Sequence, residues 1–268
     1  MGKIEFFKIV GSGNDFILID NRTNFLSSLN ISDFAKKVCK RRVSIGSDGL
    51  ILLENSKIAD FKMRFFNPDG TEVSMCGNGG RCIVYFAKIL NLVKDKTIFE
   101  TKAGLISAEI KEDLIKLQLT PPKDMKLNIS LDDVGTLHSI NTGVPHVVLF
   151  SEDVESINIE DIGRKIRYHK VFSPEGTNVN FVKVLAKNTL FVRTYERGVE
   201  AETLSCGTGA VASALISSEI YKLSSPIFVK TAGGESLTVY FSKENNKFSK
   251  VFLEGKVKII YKGELWED

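Results

Sequence analysis

The chain has 268 residues, of which 36 are basic and 33 acidic, so its formal net charge is +3. This length is comfortable for two domains that each bury a core. The basic residues are dispersed apart from Lys40-Arg41-Arg42, which we interpret as a solvated helix end, so no nucleic-acid-binding stripe is present. No apolar run approaches the ~18 residues of a membrane span, and the start of the chain does not resemble a signal peptide. These features predict a soluble, cytoplasmic protein that binds neither nucleic acid nor a membrane.

The first half of the chain is predicted to be rich in strands. Residues 6–20 form two apolar stretches broken by Gly11-Ser12-Gly13-Asn14-Asp15, which predicts a strand, a turn and a strand. A helical pattern over residues 81–92 has apolar side chains in nearly every direction, which is typical of a buried central helix. Further strands are predicted at residues 50–54, 61–67, 97–101, 106–110 and 115–120.

The second half repeats this order. A strand, a turn and a strand are predicted over residues 137–150, and a second buried helix over residues 210–221. Further strands are predicted at residues 180–185, 189–196, 227–231, 236–241 and 257–261. Because Pro121-Pro122 cannot continue a central strand, we place the domain boundary there. We expect one domain over residues 1–120 plus 256–268, completed by the final strand, and the other over residues 121–255.

Four cysteines lie at positions 39, 76, 82 and 206. Their spacing matches neither a CxxC pair nor a zinc ribbon, and a chain of this size needs no disulfides, so we predict no metal site and a reducing compartment. Cys39 and Cys82 lie in apolar helical patterns, where a buried cysteine acts as a small hydrophobic residue.

The other two cysteines occupy a repeated motif. Met75-Cys76-Gly77-Asn78-Gly79 and Ser205-Cys206-Gly207-Thr208-Gly209 each open one of the buried helices, and the cysteines are 206 − 76 = 130 positions apart. An ungapped register of this kind indicates an internal duplication. The same shift aligns Gly13 with Gly143, Gly46 with Gly176, Phe61 with Phe191, Glu72 with Glu202, Thr101 with Thr231 and Gly104 with Gly234. We therefore predict an α+β fold of two pseudo-symmetric domains, each a mixed sheet or barrel wrapped around a central helix, with the active site in the interdomain cleft.

The cysteine motif has a chemical consequence. Glycines at a helix start let successive N–H groups converge on an anion such as a carboxylate, and the helix dipole adds a partial positive charge. The same field stabilises a thiolate and lowers a cysteine pKa from about 8.5 to between about 3.5 and 7.5. Inversion of a carbon next to a carboxylate needs one group to remove a proton from one face and a second group to return one to the other. Two such thiols suit that reaction, and no cofactor is required.

Several longer motifs resemble those of the diaminopimelate epimerase family, and the resemblance runs nearly from end to end of the chain. They are Gly11-Ser12-Gly13-Asn14-Asp15-Phe16, Phe66-Asn67-Pro68-Asp69-Gly70-Thr71-Glu72, Met75-Cys76-Gly77-Asn78-Gly79-Gly80-Arg81-Cys82, Tyr195-Glu196-Arg197-Gly198 and Glu202-Thr203-Leu204-Ser205-Cys206-Gly207-Thr208-Gly209. The resemblance implies a cofactor-independent interconversion of LL- and meso-2,6-diaminopimelate, which supplies lysine and peptidoglycan precursors. It also implies a small amino-acid substrate and a homodimer.

The resemblance assigns roles to particular residues. Cys76 and Cys206 are the acid and base pair, and His146 and Glu196 tune the thiol pKa values. Glu196 and the Arg197 carbonyl hold the reacting ammonium. The backbone donors to the reacting carboxylate are Gly77, Asn78, Gly207 and Thr208.

The distal end of the substrate is expected to meet Asn67, Asn178 and the Arg197 guanidinium, since amides donate and accept while arginine binds a carboxylate bidentately. Asn14 is expected to line the same cleft. The chain departs from the family pattern at Val144, where many members have Asn, and at Gly49, where some have Gln. Both differences remove a polar side chain from the expected substrate site.

Proline racemase or hydroxyproline epimerase is the nearest alternative, because it is similar in fold and uses two thiols. Its first motif usually reads Met-Cys-Gly-His-Gly, whereas Asn78 occupies the histidine position here. The related phenazine-type isomerases lack the paired cysteines. Two alternatives are not enzymes. In one, the two thiols form a redox-sensing disulfide in a binding protein, and in the other the duplicated domains are only a binding scaffold.

Overall fold

The computed structural model describes residues 3–245 and 247–266. The first half of the chain contains β1 (Lys3–Gly11), β2 (Asn14–Asp20), α1 (Ile31–Cys39), β3 (Gly49–Glu54), β4 (Phe61–Phe66), β5 (Glu72–Val73), α2 (Gly77–Ile89), β6 (Lys96–Thr101), β7 (Gly104–Lys111) and β8 (Leu114–Gln118). The second half contains β9 (Lys123–Leu131), β10 (Gly135–Asn141), β11 (Pro145–Phe150), α3 (Ile159–Arg167), β12 (Asn178–Ala186), β13 (Thr189–Glu196), β14 (Ala201–Thr203), α4 (Gly207–Ile220), β15 (Ile227–Thr231), β16 (Ser236–Glu244) and β17 (Lys247–Trp266). Each predicted strand overlaps an observed one, whereas β5, β9, β14 and α3 were not predicted.

The chain divides into two compact units. Unit 1 comprises the described residues up to Leu117 and those from Gly255 onward, and unit 2 comprises Gln118–Glu254. From the sequence we expect these divisions after residues 120 and 255. No helix within residues 3–245 and 247–266 is long and apolar enough to cross a membrane.

Unit 1 is a mixed sheet around α2. β1 and β2 form an antiparallel hairpin, β2 runs parallel to β3, β3 pairs antiparallel with β4, and β4 runs parallel to β6. β6, β7 and β8 continue as an antiparallel meander. Residues 257–266 of β17 pair with β1, so this final strand completes the sheet of unit 1. α2 packs against β1, β2, β3, β4 and β7.

Unit 2 repeats the same order of pairings. β10 and β11 are antiparallel, β11 and β12 parallel, β12 and β13 antiparallel, and β13 and β15 parallel. β9 pairs with β10 on one side, and β16 pairs with the first part of β17 on the other. α4 packs against β10, β11, β12, β13, β15 and β16. Two strand-rich units, each wrapped around one helix, give the predicted α+β fold class.

The two central helices are buried in nearly every direction, as their apolar composition predicts. In α4 the residues from Gly209 to Ser217 are all buried, and in α2 the residues from Asn78 to Val84 are buried. α1 and α3 differ because each buries only one side, for example Phe34 and Val38 of α1. Burying a side chain of this size contributes about 1.5–3 kcal/mol. Because α2 and α4 are buried on nearly every side, their first turns are held in fixed positions.

The ungapped register of the repeat is wrong for β3 and β12. Phe16 of β2 lies opposite Gly49 of β3, whereas His146 of β11 lies opposite Asn178 of β12. The offset is 146 − 16 = 130 in one strand and 178 − 49 = 129 in the next. One residue is therefore missing from the second repeat just before β12.

The 129-residue offset continues into the next strand of each unit. Phe61 lies opposite Phe99, and Leu190 lies opposite Val229. Since 229 − 99 = 130 and 190 − 61 = 129, Phe61 corresponds to Leu190. The ungapped register had predicted Phe191 at this position. The offset returns to 130 before the cysteine motifs, where Cys76 and Cys206 hold equivalent positions.

Candidate active site

Cys76 and Cys206 are each the N-cap residue of the central helix of their unit. Their backbones are extended, with φ and ψ of −135° and 125° at Cys76 and −123° and 112° at Cys206. Each cysteine carbonyl accepts the first helical hydrogen bond, from Gly80 N–H at 2.7 Å and from Ala210 N–H at 2.9 Å. Each thiol thus lies beside the positive end of a helix dipole, a position that favours a thiolate.

The first N–H groups of both helices are available to an anion, because no carbonyl of the same helix lies four residues before them. Gly77 has no neighbouring atom within 4 Å of the position where a Cβ would be. The Gly79 N–H donates to Cys76 Sγ at 3.5 Å. Cys76 is half-buried, whereas Cys206 is 9% exposed. Cys39 and Cys82 are buried in the core, as predicted.

In unit 1, the structure brings Asn14 and Asn78 into direct contact. Asn78 Nδ2 donates to Asn14 Oδ1 at 2.7 Å, and the buried Arg81 guanidinium donates to Asn78 Oδ1 at 2.8 Å. Arg81 also donates to Ser12 Oγ at 2.5 Å, in the β1–β2 turn. These bonds fix both asparagine amides beside the start of α2.

A charged cluster behind Asn14 was missed by the sequence analysis. Asn14 Nδ2 donates to Asp48 Oδ2 at 2.9 Å, and Arg41 bridges Asp48 and Asp15. Lys8 pairs with Asp15 at 2.7 Å. Burial raises the pKa of Asp15, but hydrogen bonds from Arg41 and Lys8 outweigh burial and lower it. Arg41 follows α1 as predicted, yet it is an ion-pair partner and not merely a solvated helix end.

Asn67 lies in a turn directly after β4. Its N–H donates to the Thr71 carbonyl at 3.0 Å, and its own carbonyl accepts from Gly70 N–H at 2.9 Å. Gly70 has a φ of 82°, in the region that favours glycine. The half-buried Asn67 side chain is therefore presented from a closed turn.

In unit 2, Asn178 joins two predicted site segments. Its Nδ2 donates to the Pro145 carbonyl at 3.2 Å, and its Oδ1 accepts from the Arg197 N–H at 2.8 Å. The Arg197 guanidinium donates to the Glu175 carbonyl at 3.2 Å. One amide hydrogen and one lone pair of Asn178 are thereby committed to the backbone, and its other hydrogen and lone pair are left for a ligand.

Glu196 is held by a residue that the sequence did not single out. Thr203 Oγ1 donates to Glu196 Oε2 at 2.9 Å. The two residues lie on the paired strands β13 and β14, whose register places Glu196 opposite Ala201. The bond holds one carboxylate oxygen of Glu196 in place at the end of β13.

His146 is 1% exposed and contacts the helix start of unit 2. Its Nε2 lies 2.9 Å from Thr208 Oγ1, which lies 3.6 Å from Cys206 Sγ. Its Nδ1 lies 3.2 Å from Asn180 Nδ2. Burial lowers the pKa of His146 to about 3, and the positive charge of Arg197 acts in the same direction. His146 is therefore neutral at physiological pH.

The low pKa of His146 predicts acid sensitivity of the fold. Below about pH 6.5 the unfolded chain binds a proton at this residue and the folded chain does not. The contribution of His146 to the free energy of unfolding is therefore fully present above that pH and decreases as the pH falls towards 3. The loss is about 1.4 kcal/mol per pH unit, or about 2 kcal/mol at pH 5. Urea unfolding at pH 7 and pH 5 should show this difference for the wild type, and His146→Gln should reduce it. His169→Gln is the control, and an equal pH dependence in wild type and His146→Gln would contradict the assignment.

Nearly the whole chain matches one known protein family. The family model described as diaminopimelate epimerase matches residues 6–123 and 138–260. The chain belongs to the diaminopimelate epimerase family. The relative named diaminopimelate epimerase from Aquifex aeolicus (strain VF5) is 46% identical over 280 residues, with 99% of each chain covered. The one from Flavobacterium psychrophilum (strain ATCC 49511 / DSM 21280 / CIP 103535 / JIP02/86) is 42% identical over 259 residues, covering 96% of this chain and 98% of the relative.

Solved structures extend the likeness beyond the diaminopimelate epimerase family. The phenazine biosynthesis protein of the PhzF family from Bacillus anthracis matches with a TM-score of 0.78 at 17% sequence identity, and the match covers 100% of both chains. At this identity the likeness concerns the fold alone. It agrees with the two strand-rich units described above.

The structure explains one departure from the family pattern of diaminopimelate epimerases. A Cβ at Gly49 would lie 2.3 Å from Phe65 Cε2 and 2.9 Å from the Phe66 carbonyl oxygen, so no side chain fits there. At the second departure, Val144 is half-buried in the β10–β11 loop, where its carbonyl accepts from Thr142 N–H at 3.2 Å. Neither residue offers a side-chain hydrogen bond to a ligand.

Proposed function

We propose that the chain interconverts LL- and meso-2,6-diaminopimelate by a two-base reaction of Cys76 and Cys206 that needs no cofactor. The observation that carries the proposal is a repeated arrangement, in which each unit caps its buried central helix with a cysteine and follows it with glycine-bordered N–H groups. Membership of the diaminopimelate epimerase family supports the choice of substrate. The reaction is that of an amino-acid epimerase, an isomerase that uses no pyridoxal phosphate.

The proposed reaction transfers one proton off the α carbon and another onto it. The thiolate of one cysteine takes the proton from one face, and the electron pair left on carbon spreads into the adjacent carboxylate. The backbone N–H groups of Gly77, Asn78, Gly207 and Thr208 suit that carboxylate, because helix N-termini stabilise developing negative charge. The thiol of the other cysteine then gives its proton to the opposite face. In the reverse direction the two cysteines exchange roles.

The remaining groups are proposed to orient the two ends of the substrate. Glu196 and the Arg197 carbonyl accept from the ammonium at the reacting centre. The distal amino acid head carries both an ammonium and a carboxylate, which suits the guanidinium of Arg197 and the amides of Asn67 and Asn178. Asn14, whose amide is held by Asn78 and Asp48, contributes from unit 1.

The cellular setting is proposed from the same family membership. The product serves lysine and peptidoglycan synthesis in the cytoplasm, and the chain works as a homodimer. Light scattering coupled to size exclusion would test the assembly. A mass close to 29.8 kDa at micromolar concentration would correspond to one chain and would contradict the homodimer.

Proton NMR of LL-diaminopimelate in D₂O tests the proposed function. Purified protein, reduced and treated with EDTA, should remove the α-proton signal of the substrate and produce the meso isomer. Proline and hydroxyproline under the same conditions should keep their α-proton signals. Inversion of proline with LL-diaminopimelate unchanged would favour the racemase alternative and overturn the proposal.

A further inference from the structure

A buried chain of polar side chains lies behind Cys206 in unit 2. Thr194 Oγ1 donates to Asn180 Oδ1 at 3.0 Å, and Asn180 Nδ2 lies 3.2 Å from His146 Nδ1. His146 Nε2 lies 2.9 Å from Thr208 Oγ1, and this oxygen lies 3.6 Å from Cys206 Sγ. Asn180 is 0% exposed and Thr194 3%. The resemblance gave no role to Asn180 or Thr194.

The orientation of the Asn180 amide follows from its backbone neighbour. Asn180 Nδ2 lies 2.8 Å from the Val147 carbonyl oxygen, which accepts hydrogen bonds and cannot donate them. A flipped amide would place two acceptor oxygens in contact. The nitrogen must therefore face Val147, and its second hydrogen is directed to His146 Nδ1.

This orientation determines the tautomer of His146. Because Nδ1 accepts from Asn180, it carries no proton, and the ring proton of the neutral imidazole is on Nε2. The Nε2–H group then donates to Thr208 Oγ1. A hydroxyl has one hydrogen and two lone pairs, so Thr208 keeps its own hydrogen for another acceptor, and Cys206 Sγ is in reach.

The corresponding positions of unit 1 are apolar. The offsets described above place Phe16 at the position of His146 (146 − 130), Ile51 at that of Asn180 (180 − 129) and Phe65 at that of Thr194 (194 − 129). These three residues are buried, and the rings of Phe16 and Phe65 pack edge to face with centroids 5.8 Å apart. Hydrocarbon therefore suffices to support a central helix in this fold. Burying amide, imidazole and hydroxyl groups instead is costly unless every group is bonded, so the polar chain in unit 2 serves chemistry beyond packing.

The glycine at position 209 of the second motif leaves room for this row of buried polar side chains. A Cβ at Gly209 would lie 2.3 Å from Asn180 Oδ1. A Cβ at Gly79, the equivalent position in unit 1, would lie 3.0 Å from the terminal methyl of Ile51. In unit 2 the amide of Asn180 thus lies directly against the first turn of α4, close to the capping cysteine.

We propose that Asn180 and Thr194 are positioning residues that hold His146 as its Nε2–H tautomer and thereby direct the Thr208 hydroxyl as a donor to the Cys206 sulfur. The inference deepens the proposed epimerase function and rests on it for its catalytic meaning. A thiolate at Cys206 receives the Thr208 hydrogen, and a thiol at Cys206 donates its S–H to the same oxygen. His146 acts through Thr208 and takes no proton from Cys206. The two thiols of the reaction consequently have different surroundings.

Nitrogen-15 NMR of the wild-type protein tests the tautomer without substrate. The chain has three histidines, so His138→Gln and His169→Gln variants identify the His146 signals by elimination. We expect a protonated Nε2 and an unprotonated Nδ1 that stay unchanged between pH 6 and pH 8. Asn180→Asp replaces the donor with an acceptor of the same shape and should move a proton to Nδ1. A protonated Nδ1 in the wild type would overturn the proposal.

Alkylation of Cys206 tests the donor. A hydrogen bond to a charged group contributes about 1.5 kcal/mol or more, which corresponds to about a tenfold change in thiolate population. Iodoacetamide labelling followed by peptide mass spectrometry should show Cys206 reacting about tenfold more slowly in Thr208→Val, at near wild-type rate in Thr208→Ser, and Cys76 reacting equally in all three. Equal Cys206 rates in the valine and serine variants would overturn the proposal. Both tests are independent of diaminopimelate turnover, so failure of the epimerase assay alone would leave them standing.

Discussion

Replacing Cys206 with alanine should abolish inversion of diaminopimelate while leaving proton exchange at one of the two stereoisomers. Cys76 then remains as the only thiol of the proposed pair, and it removes a proton only from the isomer whose C–H bond faces it. The proton or deuteron returns from the same side, so the configuration is retained. Removing a general acid or base typically lowers a rate by 10²–10⁴, and inversion needs both groups, so we expect a loss of at least about 10³-fold.

The matching variant, Cys76→Ala, should show the mirror-image behaviour. Proton NMR in D₂O with LL- and meso-diaminopimelate would measure deuterium uptake and inversion separately for each variant. The two variants should exchange opposite isomers. Cys39→Ala is the control, because it removes a buried thiol of the unit 1 core and should leave inversion close to the wild-type rate. Inversion by either single variant at a substantial rate would contradict the two-base scheme, as would exchange of the same isomer by both.

The motifs that could be found from the sequence are those that occur twice. One cysteine next to Gly-x-Gly is weak evidence, but Cys76 and Cys206 hold the same place in two copies, and the structure shows both as N-caps of buried helices. The strands were predicted because their apolar stretches are local. The repeat also predicted that strands of one unit have counterparts in the other, and the structure shows that both units share the same order of strand pairings. Because the local patterns occur twice, they were enough to predict a fold of two similar units.

Elements with little apolar content were missed. α3 buries only Ile159, Gly163 and Ile166 among charged residues, and its start depends on Asn158, whose side chain accepts from Asp161 N–H. β9 exposes most of its residues and follows two prolines, which led us to predict a boundary there. Their positions come from pairing with β10 and packing on β13, which a local pattern does not contain.

The supporting residues of the site were missed for a different reason. Asn180 and Thr194 stand singly in apolar strand patterns, and nothing local distinguishes a buried positioning amide from a tolerated polar residue. Their partnership depends on the register of β12 and β13, where they lie directly opposite each other. The sequence-based repeat was one residue out of step in these strands. Likewise Arg41 and Asp48 meet Asp15 only through the fold.

Gly209→Ala should destabilise the protein far more than Gly79→Ala, although the two glycines occupy the same position of the repeated motif. At Gly209 the new Cβ would lie 2.3 Å from Asn180 Oδ1, an oxygen held by Thr194 on one side of an amide that Val147 holds on the other. Displacing it costs about 1–3 kcal/mol for overpacking and about 1–3 kcal/mol for the disrupted buried hydrogen bonds. The gain of about 1 kcal/mol from replacing a helical glycine offsets part of this. We expect a net loss of about 1–5 kcal/mol in the free energy of unfolding.

Gly79→Ala is the matched control. Its Cβ would meet the ends of flexible side chains, Ile51 Cδ1 at 3.0 Å and Met63 Cε at 3.4 Å, which shift at little cost. The helix propensity gain then leaves stability within about 1 kcal/mol of the wild type. Urea unfolding of both variants measures the difference. The double variant Asn180→Ala with Gly209→Ala should be more stable than the sum of the single effects predicts, because removing the amide removes the clash. Additive effects in this cycle, or equal stabilities of the two glycine variants, would show that the Asn180 amide does not press against the first turn of α4.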